Sequence, residues 1–421
     1  MKILSRTTSA ILDEKDTLEI FIGEVQLSST NPVRESAQFA YLKTNVVEIN
    51  QEGVSVAAKY ISEKLRSESY TPRIWRTHGI HILPHEPHSP SDPWNKTILD
   101  WIFLISSLNF SFWSEKEGRS DQYGVEWQVS WENDEKKVWT GYWSLVAALN
   151  KALQNGIPIT DPTFYSSETL CPDSLIESIF ASAEQCSETI PLLQQRTAIM
   201  REVGYILTTA FGGSYQGLLN EFQREHHGQG TALDLVKFVI DTFPSFRDEV
   251  YLEGRKICLW KRAQILVADT WAAFYPDPSI TSKHPLFPGE QGPAICDLTM
   301  FADYRVPQIL HHLRILSYPP SLVKALRKGT TLEPGSREEV SLRATSIVAV
   351  EKVREEIIRI VDTNNSGVEA AEKETAGEVS SVLIDFFLWD MAKRLERGEE
   401  RIEGIETSDL LPAHRTRSIW Y

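Results

Sequence analysis

Cysteine is scarce in this 421-residue chain, and the four present, Cys171, Cys186, Cys258 and Cys296, stand far apart without a CxxC pair. That spacing excludes a zinc ribbon and a disulfide framework and fits a reducing compartment. No run of about 18 apolar residues occurs, so no transmembrane helix is expected. Residues 1–16 mix charges with hydroxyls and lack the apolar stretch of a secretory signal. A cytoplasmic location is therefore expected, with the nucleus as the alternative. Positive charge is in deficit, with 43 Lys plus Arg against 58 Asp plus Glu and a net charge of −15. A surface that grips nucleic acid neutralises phosphates with basic side chains, so the balance opposes a stable nucleic-acid partner and favours a small ligand. Metal signatures are missing as well. His78-x-x-His81, His226-His227 and His311-His312 have no Cys or HExxH companion at the spacing metal sites use. No metal and no other cofactor is expected. The glycines of FGGSYQG, 211–217, read as a turn, because the GxxxxGK[ST] phosphate loop is absent.

What is present is an ordinary globular composition, 42% hydrophobic and 24% charged, sufficient for a large core. Apolar residues recur at three- and four-residue spacing over Trp143–Gln154, Leu192–Ala210, Thr231–Thr242 and Gly254–Phe274. The same spacing runs through Val306–Ser317, Ser321–Leu326, Arg337–Val361 and Glu378–Glu396. Asp161-Pro162 and Pro319-Pro320 mark helix boundaries. Period-two alternation of Val and Trp over Tyr123–Trp139, with a polar turn at Asn133-Asp134, predicts one hairpin. Loops are expected at 81–96, 275–293 and 362–376, each flanked by strongly apolar segments. The expected class is mainly α with a small β-hairpin element.

Several segments together resemble the queuosine salvage family, the queuosine 5'-phosphate N-glycosylase/hydrolases. They are ArgGluSer at 34–36, LNFSFW at 108–113, GYWSLVAALNKAL at 141–153, GIPITDP at 156–162 and FPSFRDE at 243–249. KRAQILVADTWAAF at 261–274, LTMFADYRVPQILHHL at 298–313, FFLWDMAKR at 386–394 and HRTRSIWY at 414–421 complete the set. KRAQILVAD followed by FADYRVPQ is its most specific part. The resemblance implies an all-helical core similar to the helix-hairpin-helix DNA glycosylases. It also implies an extension at 1–30, a single hydrolase domain over 31–421 with the three loops as insertions, and release of queuine from queuosine 5'-phosphate.

Breaking an N-ribosidic bond builds positive charge on the sugar, which a carboxylate beneath the anomeric carbon can stabilise or attack. Asp303, in FADYRVP, matches the family's catalytic aspartate by resemblance; residue chemistry alone favours a helix cap, and one residue can serve both roles. Lys261 opens an apolar helix and is expected to hold the 5'-phosphate or ribose, against the alternative of a solvated helix end. Its neighbour Arg262 suits an acidic partner or the substrate. Asp269 shares the face of Lys261 and, being costly to bury unpaired, reads as a partner for a core arginine. Phe246 and Asp248 offer a ring and a carboxylate to a guanine-like base, although Phe246 also suits the core. Asp390 is a second carboxylate for the cationic amine of queuine, or a helix-surface acid. Asn109, in an apolar run, either ties a turn or touches ligand. Trp113, Tyr142 and Trp143 read as core. Arg415 and Arg417 are expected to dock the 414–421 segment. A deazapurine has no N7 to protonate, so either hydrogen bonds to N1, N3 or O6 stabilise the departing base or the sugar cation carries more of the reaction. The competing functions are a DNA or RNA base glycosylase and a noncatalytic queuine-binding or tRNA-modification partner.

Overall fold

Side chains cap the starts of several helices. The computed structural model describes residues 31–281, 283–287, 293–364 and 379–421. The expected extension at 1–30 lies outside these residues, as does most of the expected insertion at 362–376 and part of the one at 275–293. The Asn31 carboxamide accepts from the amides of Val33 and Arg34 to start α1 (Pro32–Thr44), and Asn50 starts α2 (Gln51–Ser67) in the same way. There follow α3 (Trp94–Ser107), α4 (Tyr142–Gln154), and α5 (Pro162–Tyr165), which Asp161 caps. Next come α6 (Asp173–Ile179), α7 (Leu193–Ala210) and α8 (Tyr215–Glu225). The 211–217 glycine segment is the joint between the last two: Gly212 and Gly213 take positive φ where α7 ends, and Ser214 caps α8.

A reciprocal Thr231–Asp234 box starts α9 (Ala232–Thr242). The remaining helices are α10 (Lys261–Ala273), α11 (Arg305–His312), α12 (Pro320–Arg327), α13 (Arg337–Asn364) and α14 (Ser381–Glu396). The protein is thus mainly α. The periodic stretch at Gly254–Phe274 is helical only from Lys261. Glu253 and Gly254 turn the chain through positive φ, and Arg255–Cys258 pairs with Glu249–Leu252 as a short hairpin.

The expected hairpin is present as Gly124–Ser130 against Asn133–Thr140, antiparallel, with Trp127 opposite Lys137. Its turn falls at Trp131-Glu132, two residues before the expected position, and a bulge lies between Gln128 and Ser130. A two-residue pairing of Glu48–Ile49 with Leu316–Ser317 ties α2 to the segment after α11. There α2 lies so close that a Cβ on Gly53 would sit 2.0 Å from the Arg314 carbonyl oxygen.

At the centre lies α10, all thirteen of whose residues are buried. Its polar members are buried along with its apolar ones, and α10 packs on α3, on α9 and on the 3-10 turn Pro72–Thr77. On another side, α13 packs against α1 and α2, while α11 packs against α14. The open end of this arrangement, over the first turns of α10, holds the candidate site.

Candidate active site

The start of α10 is built without glycine. Trp260 takes the left-handed conformation (φ 46°), and the Asp248 backbone carbonyl accepts from the amides of Leu259 and Trp260 at 2.9 and 3.2 Å. The Asp248 carboxylate accepts the Lys261 amide at 3.3 Å and pairs with both terminal nitrogens of Arg343. Asp248 therefore does not line the cavity; it fixes the backbone from which Lys261 projects. Phe246 is likewise outside, fully buried against Phe103, Phe243 and the Arg262 guanidinium. The expected seat for the base at Phe246 and Asp248 is thus corrected: both lie inside the core, where one fills space and the other needs the Arg343 charge. Arg262 pairs with neither an acid nor the cavity. It donates to the backbone carbonyls of Ser107 and Ser245.

Lys261, Asn109, Asp303 and Asp390 all line one cavity. Lys261, Ile265 and Asp269 reach it from successive turns of α10, and Asp385, Trp389, Asp390 and Lys393 from one face of α14. Asn109 lies in a segment clamped by arginines. Arg196 donates to the carbonyls of Leu108 and Phe110, each at 2.5 Å, and Arg417 donates to that of Ser111 at 3.2 Å. So held, Asn109 offers its carbonyl and Oδ1 to the Lys261 ammonium at 3.0 and 3.1 Å. Asp303 accepts the amides of Arg305 and Val306 through Oδ1, at 2.8 and 2.9 Å, and so caps α11 while facing the cavity. The two readings of this residue coexist.

Burial governs the charge of the site. It pushes Asp303 above the ordinary carboxylate range, with nearby Lys261 opposing the shift. Asp385 is raised well above that range by burial and by the Asp303 charge, and it accepts the Phe301 amide at 2.9 Å. Asp269 is pushed up to about 7 by burial, against a hydrogen bond from Trp75 and the Lys261 charge. Among the described residues no arginine pairs with it, contrary to the sequence expectation. Lys261 is itself lowered to about 8, by burial first, with Asp303 opposing. Three carboxyl groups thus surround one ammonium, and their raised affinity for protons keeps part of the cluster neutral near pH 7.

The walls are aromatic. Tyr142 and Trp143, expected in the core, line the cavity from the start of α4, and Trp389 meets Trp143 edge-on with ring centroids 6.1 Å apart. His78 stands 4.8 Å from Trp143. The His81 ring donates from Nδ1 to the Trp75 carbonyl at 2.8 Å, which leaves Nε2 as an acceptor without a partner among the described residues. Burial lowers the proton affinity of both histidines. Asp390 already accepts from the Tyr70 hydroxyl at 2.6 Å. Among the described residues no group of three or more His, Cys, Asp or Glu has an arrangement that would hold a metal ion.

Sequence reasoning missed Asp385, although an acid inside the apolar run SVLIDFFLW carries the same signal that singled out Asp269. It also passed over His78 and His81 once metal binding was set aside. Trp113 remains core, under the Arg417 guanidinium at 3.4 Å. With Arg415 paired to Glu115, the 414–421 segment is docked on the body.

A family model described as "Queuosine salvage protein" matches residues 88–421. Three relatives share the name "Queuosine 5'-phosphate N-glycosylase/hydrolase". That of Schizosaccharomyces pombe is 38% identical, over 92% of this chain and 99% of the relative. That of Mus musculus is 35% identical over 92% and 98%, and that of Sphaerobacter thermophilus 31% over 94% and 97%.

Proposed function

The chain belongs to the queuosine salvage protein family, and we propose that it hydrolyses the N-glycosidic bond of queuosine 5'-phosphate to release queuine for salvage into tRNA modification. The observation that carries this reading is a half-buried carboxyl, Asp303, beside a buried lysine in an aromatic-walled cavity. Oδ1 of Asp303 is held by two backbone amides, and Oδ2 is left to support the ribosyl cation as the C1'–N bond breaks. The bonding pair leaves with the base, and water adds to C1'. Lys261 gives two of its three protons to Asn109, and the third holds the ribose or 5'-phosphate. Asp269 and Asp385, kept protonated by burial, are the groups able to hydrogen-bond or protonate the departing deazapurine, which offers no N7. Trp143, Tyr142 and Trp389 seat the base. His81 Nε2 accepts one of its N–H groups, and Asp390 faces its cationic amine.

We read the helical core as similar to that of helix-hairpin-helix DNA glycosylases, in support of which a buried lysine opens one helix and an aspartate caps another across the site. Reaction in the cytosol or nucleus, without stable nucleic-acid partners, is supported by the unpaired thiols and the acidic balance. No described helix is long and apolar enough to cross a membrane.

Incubation with queuosine 5'-phosphate, with GMP and AMP in parallel, tests the reading by mass-resolved detection of queuine. Asp303→Asn keeps the helix cap, because Asn caps as well as Asp, and is expected to lose about a thousandfold in turnover. Wild-type turnover in a folded Asp303→Asn protein would refute the assignment. Tight queuine binding without release would point to the carrier reading instead.

A further inference from the structure

The 414–421 segment returns to the wall of the cavity, and Tyr421 is part of that wall although it is 1% exposed. Three contacts connect it to the reacting groups. Its backbone carbonyl accepts the Ser111 amide at 2.8 Å, two residues from Asn109. Its ring lies 4.0 Å from the Arg343 guanidinium. Its hydroxyl reaches His414 at 3.1 Å, with Glu339 as a further hydrogen-bond partner.

Arg343 is the branch point. Its Nε donates to the Ala302 carbonyl at 2.8 Å, the peptide immediately before Asp303. Its terminal nitrogens hold Asp248, whose carboxylate accepts the Lys261 amide. One guanidinium therefore fixes the backbones of both Asp303 and Lys261, and a single aromatic face covers it. The ring also keeps water from a buried cation whose partners, Asp248 and Glu339, are themselves buried.

We infer that Tyr421 is a positioning residue for the proposed hydrolysis, holding Arg343 so that Lys261, Asn109 and Asp303 keep their mutual geometry. The inference rests on the glycosidase reading for its kinetic consequence but not for its structural one. Displacement of catalytic groups by about 1 Å costs about a hundredfold in rate. Tyr421→Ala is accordingly expected to lower kcat by about a hundredfold, with KM changed far less. Tyr421→Phe, which keeps the ring over Arg343, recovers most of that loss. The groups that set the Lys261 proton affinity are Asp303, Arg262, Arg343 and Asp385, on top of burial. Admitting water raises the Lys261 titration from about 8 towards its ordinary value. Lysine labelled with 13C at Cε, assigned with Lys261→Met, follows that titration without turnover. If Tyr421→Ala does not fold, Tyr421→Leu, which keeps bulk without an aromatic face, is read in its place. Wild-type kcat and an unmoved Lys261 titration in the folded variant would overturn the inference, and so would an equal loss in Tyr421→Phe. Absence of release by the wild type would instead fell the glycosidase reading, with the titration still deciding the role of Tyr421.

Discussion

Asp269→Asn tests the electrostatics of the site through stability. Asp269 has an ordinary value of 3.8 and is pushed to about 7 in the folded chain, chiefly by burial. A carboxyl group raised on folding contributes stability that is complete below its unfolded value and lost as pH rises through its folded value. The window here runs from about pH 4 to about pH 7. At about 1.4 kcal/mol per pH unit, the loss across it is about 4 kcal/mol. The asparagine carboxamide has nearly the shape of the protonated carboxyl and still accepts from Trp75, but it has no proton to lose. Urea titrations at half-unit steps across the window would therefore give a flatter dependence of unfolding free energy on pH for the variant. The difference between variant and wild type should move by about 4 kcal/mol in favour of the variant from the bottom of the window to the top. Asp303 and Asp385 are raised too, so the wild type is steeper than one group alone would make it. The variant removes one share of that slope. Parallel stability curves for the two proteins would refute the assignment of Asp269 as a buried acid that holds its proton near neutrality.

Four further outcomes follow from the same geometry. Queuine release should decline above about pH 8, with the slope of a single ionisation, as Lys261 loses the proton that makes it a cation; a rate flat to pH 10 would remove Lys261 from the essential groups. Lys261→Met should cost about thirtyfold or more in kcat/KM for the nucleotide, the range for truncating one partner of a buried charge contact. It should also erase the preference for the nucleotide over the nucleoside, and a preserved preference would assign the phosphate elsewhere. Phe246→Leu should destabilise the fold by about 1–2 kcal/mol in urea denaturation and leave KM unchanged, because this ring is core; a raised KM would return Phe246 to the substrate. Thr231→Ala should cost about 1 kcal/mol through the lost capping box, with turnover unaffected.

Helices with one apolar face were legible because that periodicity is local: the sequence boundaries at α4, α7 and α9 lie within one residue of the structural ones. The error at Gly254–Phe274 has a physical source. A continuous apolar stretch looks the same whether a buried helix or a buried strand produces it. What separates them here is a left-handed Trp260, held by the Asp248 carbonyl, and no residue type announces that conformation. The site divides along the same line. Asp303, Lys261, Asn109 and Asp390 stood in segments that carry chemistry and resemblance together, and all four meet in one cavity. Phe246 and Asp248 stood in an equally suggestive segment, yet Arg343, 95 residues further along, claims the carboxylate. A short motif can say that an acid needs a partner but not whether the partner is a substrate or a distant arginine. Asp269 was misread in the opposite direction, assigned to an arginine that is absent among the described residues around it. The cost of burying charge is correctly legible from sequence. Whether it is met by a counter-ion, as at Asp248, or by keeping the proton, as at Asp269 and Asp385, is decided by which side chains the fold brings within reach. Of these acids, the one that met a counter-ion, Asp248, became scaffold, and the two that keep their protons, Asp269 and Asp385, line the cavity.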